Sequence, residues 1–395
     1  MMRKASLLVL ALLLALSAAV AQDIRTGVMH PYPGSPGLET PPPAGYKAFY
    51  ISHFGRHGSR YLSYEKVVLP ALQPLSAAEQ EGLLTPEGEY LLQMVRELHL
   101  KSAGMWGQLS ELGVAEHQGI ARRMVARYPA VFKDSVRVMS SIYPRCIVSM
   151  SASTGEIARL APKTKWSFCV GKRYQSVVNT AHRPEGWISG ASQQKEYLKE
   201  NLDMDSMLAN IFSNPARGKE IVGNPVSFAK AIFNAWADRE AIGLEPFSLD
   251  RIIGEKNVNV IAASESLAGY RNMAIPNADS LITDIVLRAD VAIKRNKPSA
   301  DLRYGHDNGL MRLLVQIGIE GYPANLDNDT ASAFCFGEKV PLAANIQIVF
   351  YRNKKGKVLV KFLVNEKESS LTELSGGPYY KWEDVRALLE QFCLK

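Results

Sequence analysis

A strand-like apolar run that stops at a short basic loop constrains the fold of this chain more than any other feature. Residues 48–54 read Ala-Phe-Tyr-Ile-Ser-His-Phe, and the loop Arg56-His57-Gly58-Ser59-Arg60 follows. An apolar run that ends at a glycine turn is typical of a buried strand. Arginine presents a planar, permanently charged fork that fits phosphate oxygens, and a neutral imidazole attacks an electrophile without first losing a proton. The loop therefore predicts phosphoryl transfer through a phosphohistidine at His57; the alternative is an ordinary basic surface loop.

Three further segments have the order and wide spacing of motifs in a known family. Residues 140–146 read Ser-Ser-Ile-Tyr-Pro-Arg-Cys, residues 302–308 read Leu-Arg-Tyr-Gly-His-Asp-Asn, and residues 109–113 read Leu-Ser-Glu-Leu-Gly, followed by His117. Together with the run from Arg56 to Tyr61, they resemble the histidine acid phosphatases, branch two of the histidine phosphatase superfamily. Within that family the chain looks most like the multiple inositol polyphosphate phosphatases and phytases. The resemblance covers most of the chain beyond the apolar N-terminus.

The resemblance implies a nucleophile and a set of phosphate ligands. His57 would attack phosphorus, and Arg56, Arg60 and Arg145 would bind the oxygens on which the transition-state charge is spread. No metal or cofactor is expected, because guanidinium groups supply the positive charge and the chain has no HExxH or P-loop string. Alternatively, Arg56 and Arg60 are surface salt-bridge partners, and Arg145 is a first-turn helix residue that pairs with any acid.

The second motif implies the proton donor. Asp307 would protonate the leaving oxygen and then activate the water that hydrolyses the phosphohistidine, and His306 would be a further phosphate donor when protonated. The alternative is that these two residues only cap the end of a strand. The His-Asp form also departs from the His-Ala-Glu form of multiple inositol polyphosphate phosphatases. The two motifs therefore point to different subgroups, and the range of substrates stays open.

The remaining pattern predicts an α/β fold, in which a central, mostly parallel sheet is flanked by helices and carries an inserted all-helical cap subdomain. The α/β core is expected over residues 22–181 plus 276–395, and the helical cap over residues 182–275, where helices are broken by turns. The predicted strands span residues 48–54, 136–140 and 166–170, a segment before His306, and a hairpin of residues 346–352 and 357–365. The predicted helices of the core lie near residues 65–82, 86–101, 110–128, 147–160, 279–296 and 382–393. Thr85 and Ser110 are expected N-caps, and residues 22–45, rich in proline and glycine, are expected to form an extended arm. Both motifs follow strands, and open α/β sheets bind ligands at the carboxyl edge.

The N-terminus indicates a signal peptide rather than a part of the fold. Arg3 and Lys4 precede the nearly continuous apolar run 7–16, and residues 19–21 read Ala-Val-Ala. This arrangement predicts a signal peptide of residues 1–21, cleaved near Ala21, and export to the periplasm or the medium. The apolar run is short for a membrane span, and no second long one follows, so no stable membrane insertion is expected.

The charge balance bears on the partners. The net charge of +7, which is +7 − 2 = +5 without Arg3 and Lys4, suits a small phosphorylated substrate but is equally ordinary in a soluble protein. The chain has no dense basic tract interleaved with aromatics of the kind that binds nucleic acid. Lys172-Arg173 and His182-Arg183 are candidates for binding distal phosphates, and the alternative is a solvated charged face. The oligomeric state stays open. The four cysteines could form up to two disulfides in three full pairings: Cys146, Cys169, Cys335 and Cys393.

These observations predict an exported phosphomonoesterase that removes phosphate from phytate or related inositol polyphosphates. A broad-specificity or sugar-phosphate acid phosphatase is the alternative enzyme. A protein that binds polyanions without catalysis is an alternative of another class, and the presence of both His57 and Asp307 argues against it.

Overall fold

One mixed sheet organises the fold in a computed structural model that describes residues 23–34, 36–179, 190–297 and 299–394. The strands of these described residues are β1 (Lys47–Arg56), β2 (Ser135–Ser140), β3 (Lys165–Val170), β4 (Ala300–Gly305), β5 (Asn345–Arg352), β6 (Val358–Val364), β7 (Lys367–Ser369) and β8 (Tyr380–Lys381). Their order is β3-β2-β4-β1-β5-β6-β7, with β8 beside β6. The expected signal peptide and the pair His182-Arg183 lie outside the described residues.

The sheet has a parallel half, from β3 to β1, and an antiparallel half, from β1 to β7. Strands β3, β2, β4 and β1 pair in parallel, whereas β5 pairs antiparallel with both β1 and β6. Parallel strands with buried faces need helices on both sides, and β1 is buried over its last seven residues. The predicted α/β fold with a mostly parallel central sheet is confirmed, and so is the hairpin of β5 and β6.

The register of β1 and β4 brings the two sequence motifs together. Arg56 lies opposite Gly305 in the parallel ladder, and the backbone amide of His57 donates to the Gly305 carbonyl at 2.9 Å. Because both strands run in the same direction, His57 and His306 each follow a carboxyl end at one edge of the sheet. This is the edge at which open α/β sheets bind ligands.

Helices cover both faces of the sheet and form a separate layered region. The α-helices of the described residues are α1 (Leu69–Gln80), α2 (Pro86–Ser102), α3 (Glu111–Arg127), α4 (Pro144–Leu160), α5 (Gln175–Val178), α6 (Gly190–Asn201), α7 (Met204–Ile211), α8 (Pro215–Val222), α9 (Pro225–Ala237), α10 (Leu249–Ile253), α11 (Glu255–Met273), α12 (Asp279–Arg295), α13 (Asp307–Gln316), α14 (Asn328–Ser332), α15 (Phe336–Lys339) and α16 (Trp382–Glu390). Both expected N-caps are present: the hydroxyls of Thr85 and Ser110 accept from the amides of Gly88 and Gly113.

Short 3-10 helices and one earlier helix start account for differences between the predicted and the observed elements. They span Ile24–Met29, Glu65–Val67, Val131–Lys133, Lys172–Tyr174 and Glu240–Ile242. The expected extended arm therefore begins with a helical turn, whose Thr26 and Met29 side chains are buried. The helix expected from residue 147 begins at Pro144, because a proline is favourable in the first turn, and this start puts Arg145 at the helix N-terminus.

Three clusters of buried apolar side chains pack the helices against the sheet and against one another. One packs α12, α13 and α16 on one face of the sheet, and another packs α3 and α4 on the opposite face. The third joins α6 to α11 with α1 and α2, which precede the expected cap in sequence. Helical packing thus extends beyond residues 182–275, and the boundary between core and cap stays a prediction.

The structure also bears on the predicted disulfides and on membrane insertion. All four cysteines are free thiols, with Cys146 buried and the other three partly exposed, so none of the three possible pairings is present. Among the helices of the described residues, none combines the length and the apolar character that crossing a membrane requires.

Candidate active site

Two glycines allow the basic loop to lie directly against helix α3. A Cβ added at Gly58 would lie 2.7 Å from the Gly113 carbonyl oxygen, and a Cβ added at Gly113 would collide with the Ser59 carbonyl oxygen. Such distances are too short for real side chains. The glycines of both motifs are therefore needed for the close approach of the loop to the helix start.

A buried carboxylate, Glu116, fastens the same loop. Its oxygens accept hydrogen bonds from the Ser59 amide at 2.7 Å, the Ser59 hydroxyl at 2.7 Å and the Tyr32 amide at 2.9 Å. Burial raises the pKa of Glu116, although these amides oppose the shift. Glu116 is not among the residues predicted from the sequence, but its position in the helix carries a signal. It shares the buried i, i+3, i+4, i+7 face of α3 with Gly113, His117 and Ile120, and an acid on such a face needs buried partners.

His57 is held as a neutral imidazole with a defined tautomer. The residue is 3 % exposed, and its Nδ1 lies 3.0 Å from the Gly58 carbonyl oxygen. Since a carbonyl only accepts, Nδ1 carries the proton and the lone pair remains on Nε2. Burial, followed by the charges of Arg56 and Arg145, holds the pKa of His57 well below its usual value. A neutral imidazole is the form that a nucleophile requires.

Arg56 is anchored at the base of the cluster. One of its terminal nitrogens donates to the carbonyl oxygens of Val28 and Val340 at 2.6 and 2.9 Å. The other forms an ion pair of 3.0 Å with Asp307. Its Nε is buried without a hydrogen-bond partner. The guanidinium therefore has a fixed position and an unused donor.

Arg60 and Arg145 reach the cluster from two different elements. Arg60, in the loop after β1, donates to the Tyr61 carbonyl oxygen at 2.8 Å and lies 3.2 Å from the Met29 sulfur. Arg145, in the first turn of α4, stacks 5.0 Å from the Tyr143 ring centre. The charges of both arginines lower the pKa of His57, as does that of Arg56, so all three predicted phosphate ligands lie near the predicted nucleophile.

His306 is oriented by Ser141 and Gln175, which are not among the predicted site residues. Its Nε2 lies 3.2 Å from the Ser141 hydroxyl, which donates to the Gln175 side-chain oxygen at 3.2 Å. Nε2 therefore carries the proton, and Nδ1 faces an Arg145 nitrogen at 3.5 Å. Burial, with Arg145 next, lowers the pKa of His306 to about 4. The expected role as a protonated donor stays a prediction, and it needs a bound anion to raise that pKa.

Asp307 begins helix α13 and faces the arginines. Its side chain is 29 % exposed, and one oxygen accepts from the Asn308 amide at 2.8 Å. Burial acts to raise the pKa of Asp307, but Arg56 and His306 outweigh it and the pKa lies below its usual value. The carboxyl is thus ionised in the ligand-free site, and its role as an acid stays a prediction.

The candidates for distal phosphate binding are less closely connected to this cluster. Lys172 and Arg173 lie in the 3-10 helix after β3 with exposed side chains, and the Arg173 guanidinium lies over the Tyr174 ring at 5.2 Å. Gln175, which follows them, contacts the site through Ser141. Their part in binding stays a prediction, and so does that of His182 and Arg183, outside the described residues.

The cluster combines guanidinium groups that can bind an anion such as phosphate with a neutral imidazole that can act as a nucleophile. Where the chain is described, no three His, Cys, Asp or Glu side chains lie close enough together to hold a metal ion. Three guanidinium groups can stabilise the charge on an anion. The Nε2 lone pair of His57 and the carboxylate of Asp307 supply a nucleophile and a proton carrier on the same side of the sheet.

Comparison with solved structures identifies this fold. No protein-family model and no curated protein matches the chain. The multiple inositol polyphosphate phosphatase of Bifidobacterium longum, in complex with inositol hexasulfate, superposes with a TM-score of 0.71 at 16% identity, over 92% of this chain and 97% of that one. The phytase of D. castellii gives 0.64 at 14% identity, over 93% and 85% of the two chains. The Hafnia alvei phytase gives 0.53 at 13% identity, over 90% and 98%. The chain therefore has the histidine acid phosphatase fold.

Proposed function

We propose that this chain is a histidine acid phosphatase that hydrolyses phosphate monoesters of inositol polyphosphates such as phytate through a phosphohistidine at His57. The observation that carries the proposal is the buried, neutral His57 imidazole at the carboxyl edge of the sheet, on which the charges of Arg56, Arg60 and Arg145 act. The fold shared with two phytases and an inositol polyphosphate phosphatase supports the substrate class. Export follows from the N-terminal segment and belongs to the same proposal.

The first half of the reaction is transfer of the phosphoryl group to His57. The Nε2 lone pair attacks phosphorus in line with the ester oxygen, and a P–N bond forms as the P–O bond breaks. Arg56, Arg60 and Arg145 hold the three remaining oxygens, on which the charge is spread. Asp307 delivers a proton to the departing alkoxide. Water, activated by the same carboxylate, then cleaves the P–N bond and releases phosphate.

The proton on Asp307 depends on the substrate. In the ligand-free site Arg56 pairs with Asp307 and favours the carboxylate. A bound phosphate dianion competes for the Arg56 guanidinium and adds negative charge beside the carboxyl. Both effects raise the pKa of an acid. Asp307 is thus ionised before binding and becomes a proton donor when the ester phosphate is in place.

Replacing Arg145 tests the set of phosphate ligands. We expect Arg145→Ala to lower kcat/KM by about 10²- to 10³-fold, the usual cost of removing one donor to a developing oxyanion. Arg159→Ala is the matched control, because Arg159 lies on the same helix and pairs with Glu156 at its exposed end. Steady-state kinetics of both variants supply the measurement. If the two variants behave alike, Arg145 is not a phosphate ligand.

A comparison of substrates tests the proposed function itself. Phosphate release is measured from phytate, from a sugar phosphate and from a simple aryl phosphate, at equal enzyme concentration. We expect kcat/KM to be highest for phytate, because a chain of net charge +7 attracts a polyanion more strongly than an ester with one phosphate. Equal values for all three esters would replace the proposal with a broad-specificity acid phosphatase. Binding of inositol hexasulfate without release of phosphate from any ester would indicate a polyanion-binding protein.

A further inference from the structure

A cavity of about 240 Å³ opens beside the candidate site and shares Arg60 with it. Its wall is formed by residues 26–29 of the N-terminal segment, by the loop after β1, and by helices α9 and α11. Two acids line it: Asp238, directly after α9, and Glu265, on α11. Carboxylates repel a phosphate, so their place beside Arg60, a predicted phosphate ligand, needs a physical reason.

Asp238 is the acid that faces Arg60. One of its carboxylate oxygens lies 3.8 Å from a terminal nitrogen of Arg60, outside hydrogen-bond distance, and the same oxygen is buried without a hydrogen-bond partner. The residue is 3 % exposed. An unpartnered buried carboxylate is costly, so the positive charge of Arg60 is what stabilises its ionised form. Arg60 in turn lacks a closer carboxylate among its contacts in the described residues.

We propose that Asp238 is a positioning residue for Arg60, whose carboxylate holds that guanidinium in the empty site and is displaced from it when a substrate phosphate binds. The inference rests on the proposed function, since it takes Arg60 to be a phosphate ligand. The displaced carboxylate remains in a buried site without its counter-charge. It then takes up a proton, so binding of the anion is coupled to protonation of Asp238.

The charges around Asp238 fix the pH range of this coupling. Burial raises the pKa of Asp238 to about 6, and Arg60 and Arg56, from β1 and its loop, oppose the shift. Helix α11 contributes Glu265 to the same cavity, whereas residues 26–29 contribute no ionisable side chain. Below pH 6 the carboxyl is already protonated and binding needs no proton. Above pH 6 it is ionised, so affinity falls as pH rises, by a factor approaching ten per pH unit for one coupled proton.

Binding of inositol hexasulfate to the full chain tests this inference. Sulfate esters do not titrate between pH 5 and pH 8, so any change of affinity with pH reports on the protein. The dissociation constant is measured by calorimetry for the wild type, for Asp238→Asn and for Glu240→Gln. Glu240 is the matched control, because it is a half-buried acid two residues further along that does not contact Arg60.

We expect the three proteins to bind alike at pH 5. At pH 7.5 we expect Asp238→Asn to bind about 10- to 30-fold more tightly than the wild type and to take up one proton fewer. Glu240→Gln should follow the wild type. If Asp238→Asn does not fold, Asp238→Ser removes the same carboxyl and serves in its place. A folded variant with the wild-type pH dependence overturns the inference, even if the wild type releases phosphate from phytate. Failure of the wild type to release phosphate would instead overturn the proposed function.

Discussion

We expect His57→Ala to abolish phosphate release from both phytate and an aryl phosphate, while the chain remains folded. The reason is that the variant has no lone pair to form the covalent intermediate, and both substrates depend on it. Removing the nucleophile of a covalent enzyme costs about 10⁴-fold or more in kcat. The loss should not depend on the leaving group, because the nucleophile is needed before any leaving group departs. Phosphate release at saturating substrate is the measurement.

His99→Ala is the matched control for this variant. His99 lies in α2, is partly exposed and contacts Glu65 at 2.9 Å, so its loss should leave turnover unchanged. Circular dichroism and the thermal midpoint establish that both variants are folded. Substantial residual turnover by a folded His57→Ala protein would contradict covalent catalysis at this residue.

We expect Asp307→Asn to slow phosphoryl transfer from phytate far more than from an activated aryl phosphate. An inositol alkoxide is a strong base and leaves only with a proton, whereas an activated phenolate leaves without one. General acid catalysis is typically worth about 10²- to 10⁴-fold, and we expect a loss in this range for phytate alone. The asparagine keeps the oxygen that accepts from the Asn308 amide. The measurement is a pre-steady-state comparison of phosphohistidine formation from the two substrates.

The second half of the reaction should slow for both substrates in this variant, because the same carboxylate activates the water. Phosphohistidine should then accumulate from the aryl phosphate. Asp384→Asn is the control, since Asp384 is an exposed acid in the first turn of α16. Equal slowing of phosphoryl transfer from the two substrates would remove the acid role from Asp307. A different donor would then be required.

The parts of the site that could be predicted from the sequence are those whose positions depend on local residue pattern and on strand direction. The apolar run before Arg56 and the run before His306 each indicate a strand, and parallel pairing of β1 with β4 brings their carboxyl ends together. Arg145 could be located from the resemblance alone, and its helix begins where a proline permits. These features depend on residues close in sequence or on a general rule of α/β topology.

The supporting residues could not be predicted in the same way. Asp238 follows a helix whose apolar spacing indicates only a packed core, and its approach to Arg60 arises from the packing of α9 against the N-terminal segment. Ser141 follows β2 and Gln175 begins α5, and the chain of hydrogen bonds from Gln175 through Ser141 reaches His306 because β2 and β4 end near the start of α5. Such contacts depend on tertiary packing, for which a single sequence carries no periodic signal.

The central claim is that the phosphoryl group passes through His57, and mapping the phosphoenzyme tests it most directly. Wild-type enzyme and Asp307→Asn are mixed with an aryl phosphate, denatured within milliseconds at alkaline pH, digested and examined by mass spectrometry. We expect phosphate on the peptide that carries His57, bound by a link that is lost in acid and survives in alkali. Phosphate on another residue, or no phosphoenzyme during turnover by either protein, would contradict it.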